Sequence, residues 1–321
     1  MNWTLIKNAV LVLIIISIIT LIVAVVYCFI KRDSFENEKL ILKAPQCTHA
    51  GLGDRIGEYI IFSTLGKIYN CNVLVYWNIK NHNSASRGNE YPNNILDYIQ
   101  FPDNLKFVTQ KEWRMNKVNV ICPNRFKWNN YYYGDEFVPE IVHKKLNLSK
   151  YINLDNYIKL YKQTASEISY KKELPTLPNN FTAVHVRRGD KSKEFFNNKN
   201  PIDFHDKRLN NVFNKLNVNN YILCSEDGNP IKSKLPVSVK LSNDKMIKTL
   251  QEFFILSKAR IIIQSIPGDN KYGGWTSFSY VASRIGDSVL YNCSPVGTRL
   301  YYMEGVAGRR LYNIIKYSDL M

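Results

Sequence analysis

The sequence predicts an α/β protein with two domains, each built on a parallel sheet, which face a common cleft and follow one N-terminal transmembrane helix. From about residue 44, short apolar segments of strand length alternate with longer segments of helical pattern, as in parallel sheets covered by helices. Residues 9–30 form an uncharged apolar run of 22 residues, long enough to cross a bilayer about 30 Å thick. Residues 173–180, ELPTLPNN, contain two prolines and no apolar pattern, so they divide the alternating region into two halves.

The apolar run is expected to be a retained membrane anchor. A cleaved signal peptide usually has an apolar core of about 7–15 residues and a small-residue cleavage site. This run is longer and stops at Lys31 and Arg32. Lys7 lies on its other side, so the flanking charges nearly balance and leave the orientation open. We assign residues 1–30 to a cytoplasmic tail and anchor and residues 31–43 to a short stem.

The composition predicts a packed globular body. Of the 321 residues, 45% are hydrophobic and 13% are aromatic, which is enough to bury a large core. The formal net charge is +16, but the lysines are spread along the chain and form no dense basic run or zinc-finger spacing. No nucleic acid is therefore expected as a partner, and a small, multiply charged anion is better supported.

The cysteines do not indicate a metal site. No CxxC pair occurs, so a structural zinc site has little support. One or two disulfides in an oxidising compartment and free buried thiols explain the pattern equally well. The six cysteines are at positions 28, 47, 71, 122, 224 and 293.

The first half of the chain beyond the stem contains the elements of one α/β domain, residues 44–172. Residues 55–69 have helical length and a mixture of apolar and polar positions, and residues 153–172 form a second helical segment. Strands are predicted at residues 72–77, 105–109 and 118–122. Residues 173–180 form the linker.

The second half repeats this alternation and predicts a second domain, residues 181–321. Helices are predicted near residues 204–216, at 244–259 with Asp244 as N-cap, and from residue 277. Strands are predicted at residues 181–187, 220–226, 238–241 and 260–265. Ligands of parallel sheets bind where strands end and helices begin, and the polar motifs of this chain fall at such places.

The first motif is HVRRGD, residues 185–190, which ends a strand with two adjacent arginines. Neighbouring strand residues point to opposite faces, so His185 and Arg187 share one side and Arg188 faces the other. A buried guanidinium without an anion is costly, so protein carboxylates or a bound anion must neutralise the pair. A planar guanidinium grips a phosphate at two points. Asp190 can cap a turn or orient an arginine, so a structural arginine–aspartate pair is the alternative.

The second motif is a glycine-rich turn that runs into the helix of the first domain. Gly51, Gly53 and Gly57 do not match the dinucleotide fingerprint in their last interval, and no clear strand precedes them. Exposed amides at such a helix start can bind an anion or a sugar hydroxyl. Close packing of the helix explains the glycines equally well. Polar residues at the same helix end are Asp54, Arg55 and Glu58.

The third motif is Ser225-Glu226-Asp227, which follows a predicted strand. Carboxylates at the end of a strand can accept hydrogen bonds from a base or a ribose. An ordinary acidic turn is the commoner outcome, and the spacing alone does not make a metal site.

The fourth motif is the helix start near Ser277 and Ser279, which follows a strand and a glycine-containing loop. Backbone amides and hydroxyls at a helix N-terminus suit a diphosphate. Helix capping by Thr276 or Ser277 explains the same residues without a ligand.

In this order, the four motifs resemble those of the fucosyltransferases that use GDP-fucose, the superfamily of α1,2-, α1,6- and protein O-fucosyltransferases. HVRRGD resembles the central motif, and GLGDRIGEYIIFSTLG resembles the N-terminal glycine motif of the α1,2 branch, to which the chain is closest. YILCSED is similar to the strand that ends in Ser-Asp-Asp, and the segment from ARIIIQS to SFSYVAS resembles a strand followed by a Ser-x-Phe-Ser helix start. The resemblance spans residues 48–286. The chain departs from the pattern at Asp54-Arg55, at Glu226 and in a short insertion before Ser277.

The resemblance implies a GT-B-like fold of two Rossmann-like domains and metal-independent, inverting transfer without a cofactor. It implies that Arg187 holds the β-phosphate of GDP-fucose and stabilises the leaving GDP, and that His185 contacts the donor nearby. Asp54 or Glu58 is nominated as the catalytic base. The remaining donor-binding positions are Arg188, Asp190, Gly51, Gly53, Asp227, Ser277, Phe278 and Ser279.

The sequence therefore predicts a membrane-anchored glycosyltransferase that moves fucose to a glycan hydroxyl. Its partners would be the nucleotide-sugar donor, the glycan acceptor and a lipid bilayer contacted by residues 9–30. A transferase of another nucleotide sugar and a non-catalytic carbohydrate-binding protein on the same fold are the alternatives. We expect a type II orientation with the catalytic part in the Golgi or secretory lumen, which the sequons at Asn147, Asn180 and Asn292 permit.

Overall fold

The computed structural model describes residues 16–23, 42–44, 51–77, 94–115, 154–187, 201–225, 228–229, 231–232, 234–266, 276–293, 300–304 and 311–315. The chain divides into one unit that ends at Leu40 and a second that runs from Ile41 to Met321. In the first unit, residues 16–23 are helical and exposed, and the rest of the predicted anchor lies outside the described residues. No helix in the described part of the chain is both long and apolar enough to span a bilayer.

The second unit begins with a small parallel sheet and the elements around it. In chain order, this region contains β1 (Leu42–Lys43), α1 (Leu52–Ile68), β2 (Val73–Val75), a 3-10 turn (Ile95–Asp97), β3 (Ile99–Gln100), β4 (Leu105–Phe107) and α2 (Gln110–Met115). The strands pair in the order β1-β2-β4, and all three residues of β2 are buried. In α1, 14 of the 17 residues are buried, so this helix is enclosed on nearly every side.

The helix predicted over residues 153–172 is shorter in the structure, where α3 spans Leu154–Ser166 and β5 follows at Ser169–Tyr170. β5 pairs antiparallel with β3, and the ring of Tyr170 stacks on Phe254 with centroids 5.2 Å apart. Pairing and ring stacking at Tyr170 outweigh the local preference to continue the helix. Residues 171–180 form no helix or strand.

A six-stranded sheet holds the rest of the unit. Its elements in chain order are β6 (Thr182–Val186), α4 (Pro201–Lys215), β7 (Tyr221–Ser225), α5 (Lys245–Lys258), β8 (Ile261–Ser265), α6 (Ser277–Gly286), β9 (Val289–Cys293), β10 (Leu300–Glu304) and β11 (Leu311–Ile315). The strand order is β11-β10-β9-β8-β6-β7. β6 to β9 are mutually parallel, and β10 and β11 extend one edge as an antiparallel hairpin.

Helices cover both faces of this sheet. Val184 and Val186 of β6 form a buried cluster with Leu209, Val212 and Phe213 of α4, so α4 covers one face. The intervening residues of β6 and its neighbours face α5 and α6. For example, the Cys224 thiol donates to the carbonyl of Glu252 in α5 at 3.8 Å. α6 also packs against α1 and α3, so the helices of the small sheet meet those of the large sheet.

The predicted α/β class with parallel sheets is confirmed, although further elements differ from the sequence pattern. β9 and the β10–β11 hairpin lie beyond the last element that this pattern indicated. The predicted strand at residues 238–241 is wrong: Val237 donates one backbone bond to Tyr221, but these four residues join no ladder. A two-residue strand, β1, does precede the glycine turn, and its length explains why the pattern did not reveal it.

Two predictions about organisation are not decided by these elements. The predicted strand at residues 118–122 lies outside the described part of the chain. The division of the body into two domains at residues 173–180, with a GT-B-like arrangement, stays a prediction.

Candidate functional site

Arg187 lies where the order of the large sheet reverses. It is the first residue after β6, the strand that has β7 on one side and β8 on the other. Its backbone N–H donates to the carbonyl of Ser265, the last residue of β8, at 3.2 Å. In open parallel sheets, the crevice outside the carboxyl ends of the strands at such a reversal is the usual ligand site. The residue thus stands at the position where this topology favours a ligand.

The guanidinium of the half-buried Arg187 contacts the start of α6. Its Nη1 donates to Oγ1 of Thr276 at 3.1 Å. Thr276 is 1% exposed and is the N-cap of α6, because the same Oγ1 accepts the backbone N–H of Phe278 at 3.2 Å. The first amides of a helix lack internal partners and carry partial positive charge. A fixed cation and the positive end of a helix are therefore brought together here.

His185 lies beside them as a neutral ring. It is 8% exposed, and its ring centroid is 5.3 Å from that of Phe278. Burial, followed by the charge of Arg187, lowers the pKa of His185 to about 3. Its Nδ1 has no hydrogen-bond partner within the described part of the chain. The ring is therefore uncharged at neutral pH, and one of its polar atoms is not used by the described residues.

Ser277 and Ser279 differ in their surroundings. Ser279 is fully buried, and its hydroxyl donates to Oε1 of Gln264 on β8 at 2.6 Å. Gln264 is the register partner of His185, so this bond lies between α6 and the sheet. Ser277 is 5% exposed and forms the first residue of α6. Ser279 thus secures the helix, and Ser277 and Phe278 lie nearer to Arg187 at its start.

The glycine turn of α1 meets the same helix start. A β-carbon on Gly53 would lie 2.5 Å from the carbonyl carbon of Ser277 and 2.6 Å from the backbone nitrogen of Phe278. Gly51 is the N-cap of α1 and provides no side-chain cap. The first turns of α1 and α6 are therefore in backbone contact, so two helix N-termini converge beside Arg187. Close packing is the role that the structure gives to Gly53.

The charged residues of α1 have different exposures. Arg55 is 1% exposed, and its guanidinium lies over the ring of Trp77, 4.9 Å from the centroid. Glu58 is 3% exposed, one turn further into the helix. Asp54 is half-buried in the first turn, next to Gly53. Of the two nominated bases, Asp54 is thus the more accessible and the closer to the helix junction.

The site is supported by three residues that the sequence did not single out: His205 and Arg208 on α4 and Ser265 on β8. His205 and Arg208 are 0% and 1% exposed, and Nδ1 of His205 hydrogen-bonds to Oγ of Ser265 at 2.9 Å. His205, Arg208, Leu209 and Val212 follow helical spacing, so the two basic residues interrupt an apolar stripe. That interruption is the signal that sequence reasoning could have used.

The remaining predicted positions, Arg188, Asp190 and Asp227, lie outside the described residues. The choice between a bound anion and a structural arginine–aspartate pair at Arg188 and Asp190 therefore stays open. Within the described ranges, no three His, Cys, Asp or Glu side chains gather in a way that could hold a metal ion.

A cavity of about 250 Å³ opens at the opposite edge of the large sheet. It lies at the amino ends of β6, β7 and β8, and its lining includes Asn179, Asn217 and Arg260. We place the candidate site at the carboxyl edge instead, because Arg187, the two helix N-termini and the reversal of strand order coincide there.

The chain is similar in fold to several solved structures of fucosyltransferases. The first, described as NodZ α-1,6-fucosyltransferase soaked with GDP-fucose, has a TM-score of 0.45 and 10% identity, and covers 87% of this chain and 99% of its own. The same enzyme co-crystallised with GDP has a TM-score of 0.44 and 9% identity, over 80% of this chain and 95% of its own. Fucosyltransferase NodZ from Bradyrhizobium has a TM-score of 0.44 and 9% identity, and the match covers 80% of this chain and 96% of its own. Since these three TM-scores are below 0.5, we infer nothing about this chain from these likenesses.

No protein-family model matches the chain. No curated protein matches it either.

Proposed function

We propose that this protein is a glycosyltransferase that transfers fucose, with inversion, from GDP-fucose to a hydroxyl of a glycan acceptor. In this proposal the donor's diphosphate binds at the carboxyl edge of the large sheet. The acceptor approaches from the side of α1. The order of the four sequence motifs, closest to the α1,2 branch, supports the choice of GDP-fucose.

The observation that carries the proposal is the convergence of three positive groups. The guanidinium of Arg187 contacts the N-cap of α6 through Thr276, and the start of α1 touches the start of α6 at Gly53. A helix N-terminus attracts phosphate through its free amides and its dipole. Two such termini and an arginine together create a local field suited to a diphosphate, which carries several negative charges.

Such a field acts in the transition state of sugar transfer. As the bond between the sugar and the phosphate breaks, negative charge grows on the departing diphosphate, so a cation fixed beforehand lowers the barrier. Removing one comparable donor of an oxyanion site costs about 3–4 kcal/mol. His185 is neutral because burial lowers its pKa, and its Nδ1, which has no hydrogen-bond partner among the described residues, can form a hydrogen bond to the donor.

The acceptor hydroxyl needs a base within hydrogen-bond reach. We assign this role to Asp54 rather than Glu58, because Asp54 is half-buried in the first turn of α1 and Glu58 is enclosed. The proposal keeps residues 9–30 as a membrane anchor with the catalytic part in the secretory lumen, and it requires no metal or cofactor.

The experiment is a donor screen with the full chain. GDP-fucose is expected to raise the melting temperature more than other GDP- and UDP-sugars, and wild-type protein is expected to turn it over. Arg187→Ala is expected to abolish both effects. Arg187→Lys keeps the charge but loses the planar fork, so it is expected to retain weak binding and a small, measurable residual turnover.

Arg260→Ala is the matched control, since it removes the same charge at the opposite edge of the same sheet. Arg260→Ala is expected to show the same melting-temperature shift with GDP-fucose and the same turnover as wild type. A melting temperature unmoved by every nucleotide sugar would refute the proposal. Binding without turnover would assign the fold to carbohydrate recognition instead.

A further inference from the structure

The inner face of α4 carries two buried basic side chains. His205 and Arg208 are almost fully enclosed and lie one helical turn apart, in the stripe that packs on the large sheet. Burying two such polar groups is costly unless hydrogen bonds compensate. Their hydrogen bonds therefore indicate what the chain gains from them.

The bond of His205 leads to Arg187 through one residue. Nδ1 of His205 is 2.9 Å from Oγ of Ser265, and the carbonyl of the same serine accepts the backbone N–H of Arg187 at 3.2 Å. Ser265 is the last residue of β8 and is paired in register with Val186 of β6. Its hydroxyl faces α4 and its carbonyl lies in the sheet, so it connects the helix to the arginine.

Arg208 holds the carboxyl ends of two adjacent strands, β8 and β9. Its Nη1 donates to the carbonyl of Ile266 at 3.0 Å, and its Nη2 donates to the carbonyl of Cys293. These carbonyls belong to the residue after β8 and to the last residue of β9. α4 thus anchors the carboxyl ends of both strands at the edge where Arg187 leaves the sheet.

We propose that His205 is a positioning residue for Arg187 and acts through Ser265. This inference rests on the proposed function only for its kinetic consequence. Arg187 stands just beyond the β6 ladder, so its backbone is set by the bond to Ser265 and its guanidinium by the bond to Thr276. Because His205 holds the hydroxyl of Ser265, and the carbonyl of Ser265 accepts the backbone N–H of Arg187, His205 helps to fix the backbone position from which the arginine side chain extends. Catalytic groups displaced by about 1 Å can lose about 100-fold in rate.

The first arm of the test measures Arg187 directly by NMR of its Nε–H signal in the full chain, assigned from its loss in Arg187→Lys. His205→Leu and Ser265→Ala are expected to shift and broaden this signal. His205→Asn, which places an amide near the position of Nδ1, is expected to restore it. Ser265→Ala removes one oxygen, so it carries the test if His205→Leu fails to fold.

Ser288→Ala is the matched control. Ser288 likewise has a buried, hydrogen-bonded hydroxyl, which donates to the carbonyl of Ala259 at 2.6 Å, but it precedes β9 at the other edge of the sheet. It is expected to leave the Arg187 signal unchanged. If Ser265→Ala and His205→Leu also leave the signal unchanged in folded protein, the inference is overturned.

The second arm measures turnover of the donor identified by the screen. His205→Leu and Ser265→Ala are expected to lower kcat by roughly 10- to 100-fold with little change in KM. In an Arg187→Lys background the same changes are expected to have no further effect, since residues that act through one another are not additive. Equal losses in both backgrounds would show a merely structural role and contradict the inference. If wild type turns over no donor, the proposed function fails, and the NMR arm still decides the positioning.

Discussion

A β-carbon on Gly53 would lie 2.5 Å from the carbonyl carbon of Ser277, although 223 intervening positions separate the two residues along the chain. Only a residue without a side chain permits this backbone contact. The contact holds the start of α1 against the start of α6, beside the guanidinium of Arg187. The glycine turn therefore contributes to the site by proximity of backbones.

Gly53→Ala is expected to lower the free energy of unfolding by about 1–3 kcal/mol, because the new methyl group forces two backbones apart. It is also expected to weaken the Arg187-dependent ligand shift. Gly66→Ala is the control: its β-carbon would crowd the Asn104 side chain at 2.6 Å, at the far end of the same helix. Both variants should be destabilised in denaturant titrations, and Gly53→Ala more, because its methyl group meets only backbone atoms and that of Gly66→Ala meets mainly side-chain atoms. Equal ligand binding by both would contradict the prediction.

Thr276→Ala removes the N-cap of α6 and the partner of Arg187 together. We expect a loss of about 1 kcal/mol in the free energy of unfolding and a weaker thermal shift with the donor. Thr276→Ser keeps the hydroxyl and should preserve both. Asp244→Ala is the control, since Asp244 caps α5 through the N–H groups of Met246 and Ile247. It should cost similar stability without affecting ligand binding, and a ligand defect in Asp244→Ala would argue against a direct role of Thr276.

His185 predicts a dependence of stability on pH. Its folded pKa is about 3, below the ordinary value of 6.5. As pH falls from about 6.5 towards about 3, the unfolded chain binds a proton at this ring and the folded chain does not. The free energy of unfolding should therefore fall by up to about 1.4 kcal/mol per pH unit from this group. Denaturant titrations from pH 7 to pH 4 should show a shallower slope for His185→Gln, and identical slopes would show that the ring titrates normally.

The buried thiols of the large sheet should resist alkylation. Burial raises the pKa of Cys293 to about 12 and that of Cys224 well above its ordinary value, and both thiols are free. Because the thiolate is the reacting form, iodoacetamide at pH 8 should label both far more slowly in native protein than in denaturant. Peptide mapping by mass spectrometry resolves each cysteine. Rapid labelling of Cys224 in the native chain would contradict its enclosure by β7 and α5.

Much of the fold follows from patterns that act over short distances. α5 and its cap at Asp244, and the strands β6, β7 and β8, were predictable because apolar periodicity and capping chemistry are local properties. β1 and β5 were not, since two-residue strands exist only through their partners. The dependence of strands on their partners also explains why the strand expected at residues 238–241 is absent: the segment has β-like composition but joins no ladder.

The candidate site was predictable in part. The alternation rule placed His185 and Arg187 on one side of β6, and both contact the start of α6 in the structure. His205 and Arg208 are not predictable from residue type alone, because arginine is mostly exposed in proteins and histidine is intermediate in burial, so neither residue type indicates a buried contact. Their role depends on carbonyl and hydroxyl groups supplied by β8 and β9, which a helical pattern does not contain.

The placement of β6 between β7 and β8 has a consequence for biosynthesis. β6 pairs on one side with β8, which follows it by about 80 residues along the chain. Until that later segment emerges from the ribosome, β6, the strand that precedes Arg187, has an unpaired edge open to other extended polypeptides. Chaperone capture of nascent chains halted before β8 has emerged should thus exceed capture of chains halted after it has emerged.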